Sequence, residues 1–265
     1  MRTLADVSEL RALYGQPMVL AVKKSLPRLD RHCRDFIRLS PFLLVSTQGP
    51  EGADISPRGD PSGFVSIEDD ATILIPDRPG NNRVDTLENI LHNPRVGIIF
   101  LVPGLTESLR INGMAEIVVG AELQRLAHGN RIPKTAIRVR IEEVFFHCAK
   151  ALIRSKLWEP ETRAPAGSLP PLGVILADQI AGVDAEAESA AIEEAYRTTL
   201  YRQVRPSGLS TQPPYPNISL APILFTPAAS IRAHAAASEP LASIARQASS
   251  ITNVSKPAAR ESSAE

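Results

Sequence analysis

The chain has 265 residues, zero formal net charge, and 43% hydrophobic and 22% charged residues. That length suffices for one sizeable core with appendages, and the neutral balance argues against a general nucleic-acid binder, which carries a basic surplus. Cys33 and Cys148 make no disulfide framework. The apolar runs, such as Leu43-Leu44-Val45, are strand-sized, and the N-terminus lacks a basic segment followed by an apolar one. The expectation is a soluble cytoplasmic protein with no membrane partner.

Residues 6–39 read as helical, with Leu10 and Leu13 ahead of Gly15 and Pro17 and a second helix through 28–37. Strands dominate between Pro41 and Cys148. They are expected at 42–47, 54–57, 64–67, 72–76, 95–101, 108–119 and 135–148, with turn signals such as Gly49-Pro50-Glu51-Gly52 and Asp60-Pro61-Ser62-Gly63 between them. One helix interrupts the series. Asp85-Thr86-Leu87-Glu88 reads as an N-cap with an acid three residues on, and Leu87, Ile90 and Leu91 follow at helical spacing until Pro94. A short crossover helix is expected at 122–128. Many short strands with one internal helix suit a small, closed or partly closed antiparallel barrel.

Two strands have a legible alternation. Ser108, Arg110 and Asn112 share one face while Leu109 and Ile111 share the other, and Ile137, Val139 and Ile141 likewise fall on one side. Beyond Ala149, helices are expected through 150–158 and 184–201. From Arg202 the chain turns to Ala, Ser and Pro with few large apolar residues. The expected organisation is a folded domain at 1–201 and a largely disordered tail at 202–265.

The most informative segment is Asp77-Arg78-Pro79-Gly80-Asn81-Asn82-Arg83, set between the strand at 72–76 and the helix from Asp85. Free N–H groups and the helix dipole favour an anion at such a junction. Arg78 and Arg83 add bidentate donors. The histidines (His32, His92, His128, His147 and His234) are scattered, without ligand spacing, so no metal site is expected. There is no Gly-x-Ser-x-Gly elbow, no nucleotide-triphosphatase phosphate loop and no Gly-x-Gly-x-x-Gly fingerprint. No residue is assigned a catalytic role. An anion site without a nucleophile or base makes sense where a bound flavin carries the chemistry. Its phosphate is expected at Arg78, Asn81, Asn82 and Arg83. Its ring is expected against backbone near Pro76 and Asp77 and against Ser56, Arg58, Ser108, Arg110 and Asn112.

These residues also carry a resemblance. Ile55-Ser56-Pro57-Arg58-Gly59-Asp60, then Ile75-Pro76-Asp77-Arg78-Pro79-Gly80-Asn81-Asn82-Arg83, then Asn93-Pro94-Arg95-Val96-Gly97 and Leu109-Arg110-Ile111-Asn112-Gly113, resemble the FMN-binding split-barrel superfamily. The likeness is greatest to its bacterial branch similar to pyridoxamine 5'-phosphate oxidase, and covers roughly residues 10 to 200. His147-Cys148-Ala149-Lys150-Ala151-Leu152-Ile153-Arg154-Ser155 fits the same branch.

The resemblance implies a mainly β, α+β fold: a six-stranded FMN-binding split β-barrel with flanking helices, forming a homodimer with FMN at the interface. By carry-over, Arg78 and Arg83 match residues that grip the FMN phosphate, Arg58 lies on the strand facing the flavin, and Ser108 replaces a ring-contacting glutamine. Lys150 and Arg154 either reach the neighbouring subunit's flavin or substrate pocket or form a solvated helix face. Two departures bear on substrate: Asn81-Asn82-Arg83 replaces a Ser-Arg-Lys phosphate motif, and no counterpart of the C-terminal Arg-x-His motif is found within the stretch the resemblance covers. The implied activity is an FMN-dependent oxidoreductase passing a hydride between flavin and an unidentified small molecule. The same fold using deazaflavin F420 or handling haem, and a non-catalytic flavin-binding redox sensor, remain as alternatives.

Overall fold

The computed structural model describes residues 1–200, and the expected tail from Arg202 onward lies outside the described residues. The helical N-terminal zone resolves into three short helices. In α1 (Val7–Tyr14), Asp6 caps the start by accepting from the Glu9 N–H at 2.9 Å. It and α2 (Val19–Lys23) bury no residue. In α3 (Arg31–Leu39), Asp30 accepts from the Cys33 N–H at 2.8 Å and the helix buries Cys33, Phe36 and Ile37. Phe36 meets Phe146 edge-on at 5.5 Å, which docks α3 on the sheet. Burial, helped by the Asp30 carboxylate, pushes the Cys33 thiol up to about 12. It stays a thiol at neutral pH and is chemically quiet.

The strands are β1 (Phe42–Gly49), β2 (Gly52–Gly59), β3 (Ser66–Ile67), β4 (Thr72–Pro76), β5 (Arg95–Leu101), β6 (Ser108–Val118) and β7 (Ala136–His147). They form one antiparallel sheet in the order β2-β1-β5-β6-β7-β4-β3. The fold is mainly β, of the split-barrel α+β class. Its strands number seven rather than six because the two-residue β3 adds an edge beside β4. Alternation decides the core: Leu43 and Val45, Val96, Ile98 and Phe100, Leu109 and Ile111, and Ile137 and Val139 all point inward and are buried.

A β-bulge breaks that alternation once. Asn112 pairs with Glu143 and the next residue, Gly113, with Ile141, so Glu142 is the extra residue. The slip turns Val144 inward and leaves Glu143, Phe145 and His147 opposite Asn112, Arg110 and Ser108 on the outer face. Gly113 is required there because a Cβ would run into the Arg140 carbonyl. Beyond the end of β4 the free edge of β7 is met by Leu26, which exchanges both backbone hydrogen bonds with Val144 at 2.8 and 2.9 Å.

The internal helix, α4 (Asp85–His92), lies over β1, where Asn89 Nδ2 donates to Thr47 Oγ1 at 3.1 Å. Its expected cap is corrected. Val84, in the left-handed region at φ 53, is the N-cap, and Asp85 is already helical. The Asp85 carboxylate turns to Arg83 at 2.8 Å instead of capping. The crossover segment is a 3-10 helix over Ala121–Leu126 rather than an α-helix. Its threefold repeat places Leu123 and Leu126 together against Leu74 and Ala136 in a small side core.

The C-terminal helices are α5 (Lys150–Ser155), α6 (Leu172–Gln179) and α7 (Ala185–Thr199). α5 stops short of the expected 158 because Lys156 takes a left-handed conformation at φ 51. Trp158 instead donates its indole N–H to Leu105 O at 2.7 Å.

Gly113→Ala tests the bulge. The clash is with backbone, which yields little, so a loss of about 1–3 kcal/mol is expected in urea unfolding. Gly80→Ala, where a Cβ meets nothing within 4 Å, is expected to change stability by less than about 0.5 kcal/mol.

Candidate functional site

β2 and the β4–β3 pair are the two edges of the sheet, yet their ends meet. Side chains rather than a backbone ladder bridge them. Arg58 Nη1 donates to Asp77 Oδ1 at 2.5 Å, and Arg78 Nε donates to Asp60 Oδ2 at 2.6 Å. The pairs are reciprocal, each edge giving one base and one acid. The Asp60 side chain is fully buried and that of Arg78 is 18% exposed. Arg78 Nη1 also donates to Leu126 O at 2.9 Å, which ties the 3-10 segment to the bridge. The Asp77 N–H continues the β4–β7 ladder to Thr135 O at 3.0 Å, so the loop 130–134 runs beside Arg78.

A cavity of about 870 Å³ opens at this junction, within the ~300–1,000 Å³ of small-molecule sites. Its walls are Asp54, Ser56 and Arg58 of β2, the segment 76–86, and the loop 130–134. Thr86 Oγ1 donates to Asp54 Oδ2 at 3.4 Å across it. Asn81 Oδ1 accepts from the Arg83 N–H at 3.1 Å and sets the turn. Asn82 and Val84 both sit at positive φ, 62 and 53. For a β-branched valine that conformation stores about 1–3 kcal/mol, a kind of strain that gathers at ligand-holding loops.

The charges are not equally available. Arg58, Arg78 and Arg83 each have a carboxylate partner: Asp77, Asp60 and Asp85. Lys134 is exposed and pairs with no carboxylate among the described residues. Arg58 Nε is buried in the wall with no acceptor among the described residues. An orphan buried donor costs about 1–3 kcal/mol, which a ligand acceptor recovers. Among the described residues no histidine or cysteine lines the cavity. The arrangement is suited to holding an anionic, carbonyl-bearing molecule rather than attacking one.

Of the residues expected from sequence, Ser56, Arg58, Pro76, Asp77, Arg78, Asn81, Asn82 and Arg83 border this cavity. Ser108, Arg110, Asn112, Lys150 and Arg154 do not. The first three lie on the outer strip of β6 and β7. There Glu143 accepts from Ser25 Oγ at 2.6 Å and from Asn112 Nδ2 at 2.7 Å. These hydrogen bonds, with Arg110 nearby, hold its carboxyl below the usual range. Burial, then the charges of Arg110 and Lys24, lowers His147. Lys150 and Arg154 follow on α5, both exposed. Sequence reading missed Lys134, and it missed Asp60 and Asp85 as the partners of Arg78 and Arg83. The Lys134 signal, a lone cation before the 135–148 strand, has meaning only once β4 and β7 are paired.

A scan against protein-family models matches residues 29–148 to pyridoxamine 5'-phosphate oxidase. Those residues belong to the pyridoxamine 5'-phosphate oxidase-like family. The match takes in α3, α4 and all of the sheet, and ends before α5. No curated protein matches the chain. Solved structures with a similar fold include the tagged HupZ protein of Group A Streptococcus, 23% identical, covering 44% of this chain and 93% of that one, TM-score 0.38. A protein of Clostridium acetobutylicum related to general stress protein 26 is 15% identical, covering 44% of this chain and 85% of that one, TM-score 0.34. An F420 reductase is 17% identical, covering 44% of this chain and 98% of that one, TM-score 0.35.

Two predictions follow from these charges. Arg78→Leu leaves the buried Asp60 without its guanidinium and is expected to cost about 3–5 kcal/mol. Arg83→Leu breaks a pair 76% and 41% exposed and is expected to cost under about 1 kcal/mol; urea unfolding of both variants compares them. The second concerns acid. The folded state of His147 binds its proton less readily than the unfolded chain at 6.5, so stability is full above 6.5 and falls as pH drops through the folded value. Glu143 adds a second loss below 4.5 by the same sign. Melting temperatures recorded from about pH 8 to about pH 3 are expected to fall in both windows. His147→Gln should abolish only the upper one.

Proposed function

We propose that this chain is a flavin-dependent oxidoreductase that holds FMN in the cavity between β2 and the loop after β4. The observation that carries the reading is the buried Arg58 Nε, without an acceptor among the described residues, in a cavity of about 870 Å³ lined by cations and, among those residues, by no histidine or cysteine. Those residues fit the group. Arg58 Nε would donate to a ring carbonyl, with Ser56 and the backbone at Pro76 and Asp77 beside it. Asn81, Asn82, Arg83 and Lys134 would hold the phosphate, Arg83 exchanging Asp85 for it, while Arg78 keeps Asp60 and positions the loop. When bound, FMN supplies the hydride chemistry at its own ring. The chain binds it, orients it and excludes water from one face.

Ser108, Arg110 and Asn112 cannot join this site within one chain, since they lie on the outer strip. We therefore propose a homodimer in which the strip of one copy faces the cavity of the other, with Lys150 and Arg154 reaching across beside it. The substrate is a small molecule docked on the open ring face.

The visible spectrum of the purified protein, with mass identification of the released chromophore, tests the reading. About one FMN per chain is expected. Arg58→Gln removes a charge-assisted donor, so FMN affinity should fall by about 10- to 100-fold. A colourless protein that takes up no added FMN overturns the reading, and release of deazaflavin or haem replaces the cofactor.

A further inference from the structure

The outer strip holds a guanidinium with an unusual set of neighbours. Arg110 lies 5.1 Å from the ring centroid of Phe145, its direct cross-strand partner. It is half-buried, and its N–H donors meet no acceptor among the described residues. Lys24 stands 5.5 Å from the same ring, its ammonium fixed by a 2.7 Å bond to Phe146 O. The carboxylate of the strip does not neutralise either cation by contact. Both Glu143 oxygens are taken, by Ser25 Oγ at 2.6 Å and Asn112 Nδ2 at 2.7 Å.

A guanidinium stacked on an aromatic ring is pre-oriented and weakly hydrated, so it loses little freedom on meeting a planar, two-oxygen partner. Both cations lie close to one ring and both act on His147, so an oxyanion arriving beside them is attracted by two positive charges. His147, kept below its ordinary value by burial and by these same cations, offers a neutral, directional hydrogen-bonding group nearby rather than a third charge.

We propose that Arg110 and Lys24, held on Phe145, form a receptor for the phosphate or carboxylate of a small molecule. The receptor stands without the flavin reading. Only its assignment to the substrate, presented to a flavin in a second copy's cavity, rests on that reading.

Calorimetric titration of the full-length chain with phenyl phosphate, benzoate and the neutral benzyl alcohol tests it. Both anions are expected to bind and the alcohol is not, and the tighter anion names the class. Arg110→Gln should weaken anion binding at least about tenfold. Arg110→Lys, which keeps the charge but loses the fork, should recover only part. Lys24→Gln changes an exposed side chain and should weaken binding several-fold, which keeps the test decisive if the Arg110 variants do not fold. Unchanged anion affinity in Arg110→Gln and Lys24→Gln overturns the receptor. So does equal binding of benzyl alcohol, or a loss seen only in Lys134→Gln, which sends the anion to the cavity. Flavin content measured on the same samples separates the two readings. A wild-type chain that binds the anions but no flavin keeps the receptor and removes its link to a flavin substrate. An Arg110→Gln chain that loses flavin while keeping anion affinity makes Arg110 a cofactor residue and overturns the receptor.

Discussion

The reciprocal pairing of Arg58 with Asp77 and of Asp60 with Arg78 closes a sheet that its own backbone leaves open. β2 and β4 share no ladder, and the crossed pairs at 2.5 and 2.6 Å take the place of one. Side chains as poorly exposed as these contribute little net stability, because desolvating the ions offsets most of their attraction. What they supply is position. Removing either member strands a charge in a poorly hydrated place, so the edges are held in one register and the cavity keeps its walls. The same economy explains why Arg78 is a weaker candidate for gripping a ligand than its place in the loop suggests. It already serves Asp60 and the Leu126 carbonyl.

The bulge at Asn112 and Gly113 does for the outer face what the ion pairs do for the cavity. One extra residue, Glu142, reverses the parity of the last third of β7. Without that slip Glu143, Phe145 and His147 would point into the core, and Arg110 would face an aliphatic neighbour. With it, Val144 fills the core and a strip of charged, aromatic and hydroxyl groups is assembled opposite Ser108, Arg110 and Asn112. The cost is local: one glycine whose missing side chain admits the Arg140 carbonyl.

The strands were legible because each buries one face, and a period of two leaves its mark in any half-buried segment. Ile137, Val139 and Ile141 announce β7 in this way, and the consecutive acids Glu142-Glu143 before Val144 are the visible trace of the bulge. Helix ends were less legible. Asp85 looks like a cap, but a cap must precede the first helical residue with an extended backbone, and Val84 takes that place in a left-handed conformation. The cavity was half legible. Its loop carries a concentrated local pattern, whereas Lys134 joins it, and Asp60 braces Arg78 behind it, only through curvature and strand pairing, which no local window contains. The division of the expected ring contacts between two surfaces was illegible for the same reason. Alternation says which residues share a face, not which face meets which cavity.

The two surfaces differ in a way that bears on the proposed chemistry. In the cavity Arg58, Arg78 and Arg83 each have a carboxylate beside them, so an entering anion must compete with Asp77, Asp60 or Asp85 for these three, while Lys134 pairs with no carboxylate and the Arg58 Nε has no acceptor among the described residues. Such a site favours a ligand with many weak contacts spread over a large body, because no single charge grips it. On the strip the order is reversed: the carboxylate is satisfied by neutral donors and the cations are left over. That arrangement favours a small ligand recognised by one charged group. A large group held in the cavity and a small anion drawn to the strip are complementary demands. Bringing the two surfaces of different copies together is the simplest geometry in which one molecule's cavity and another's cations act on the same pair of reactants.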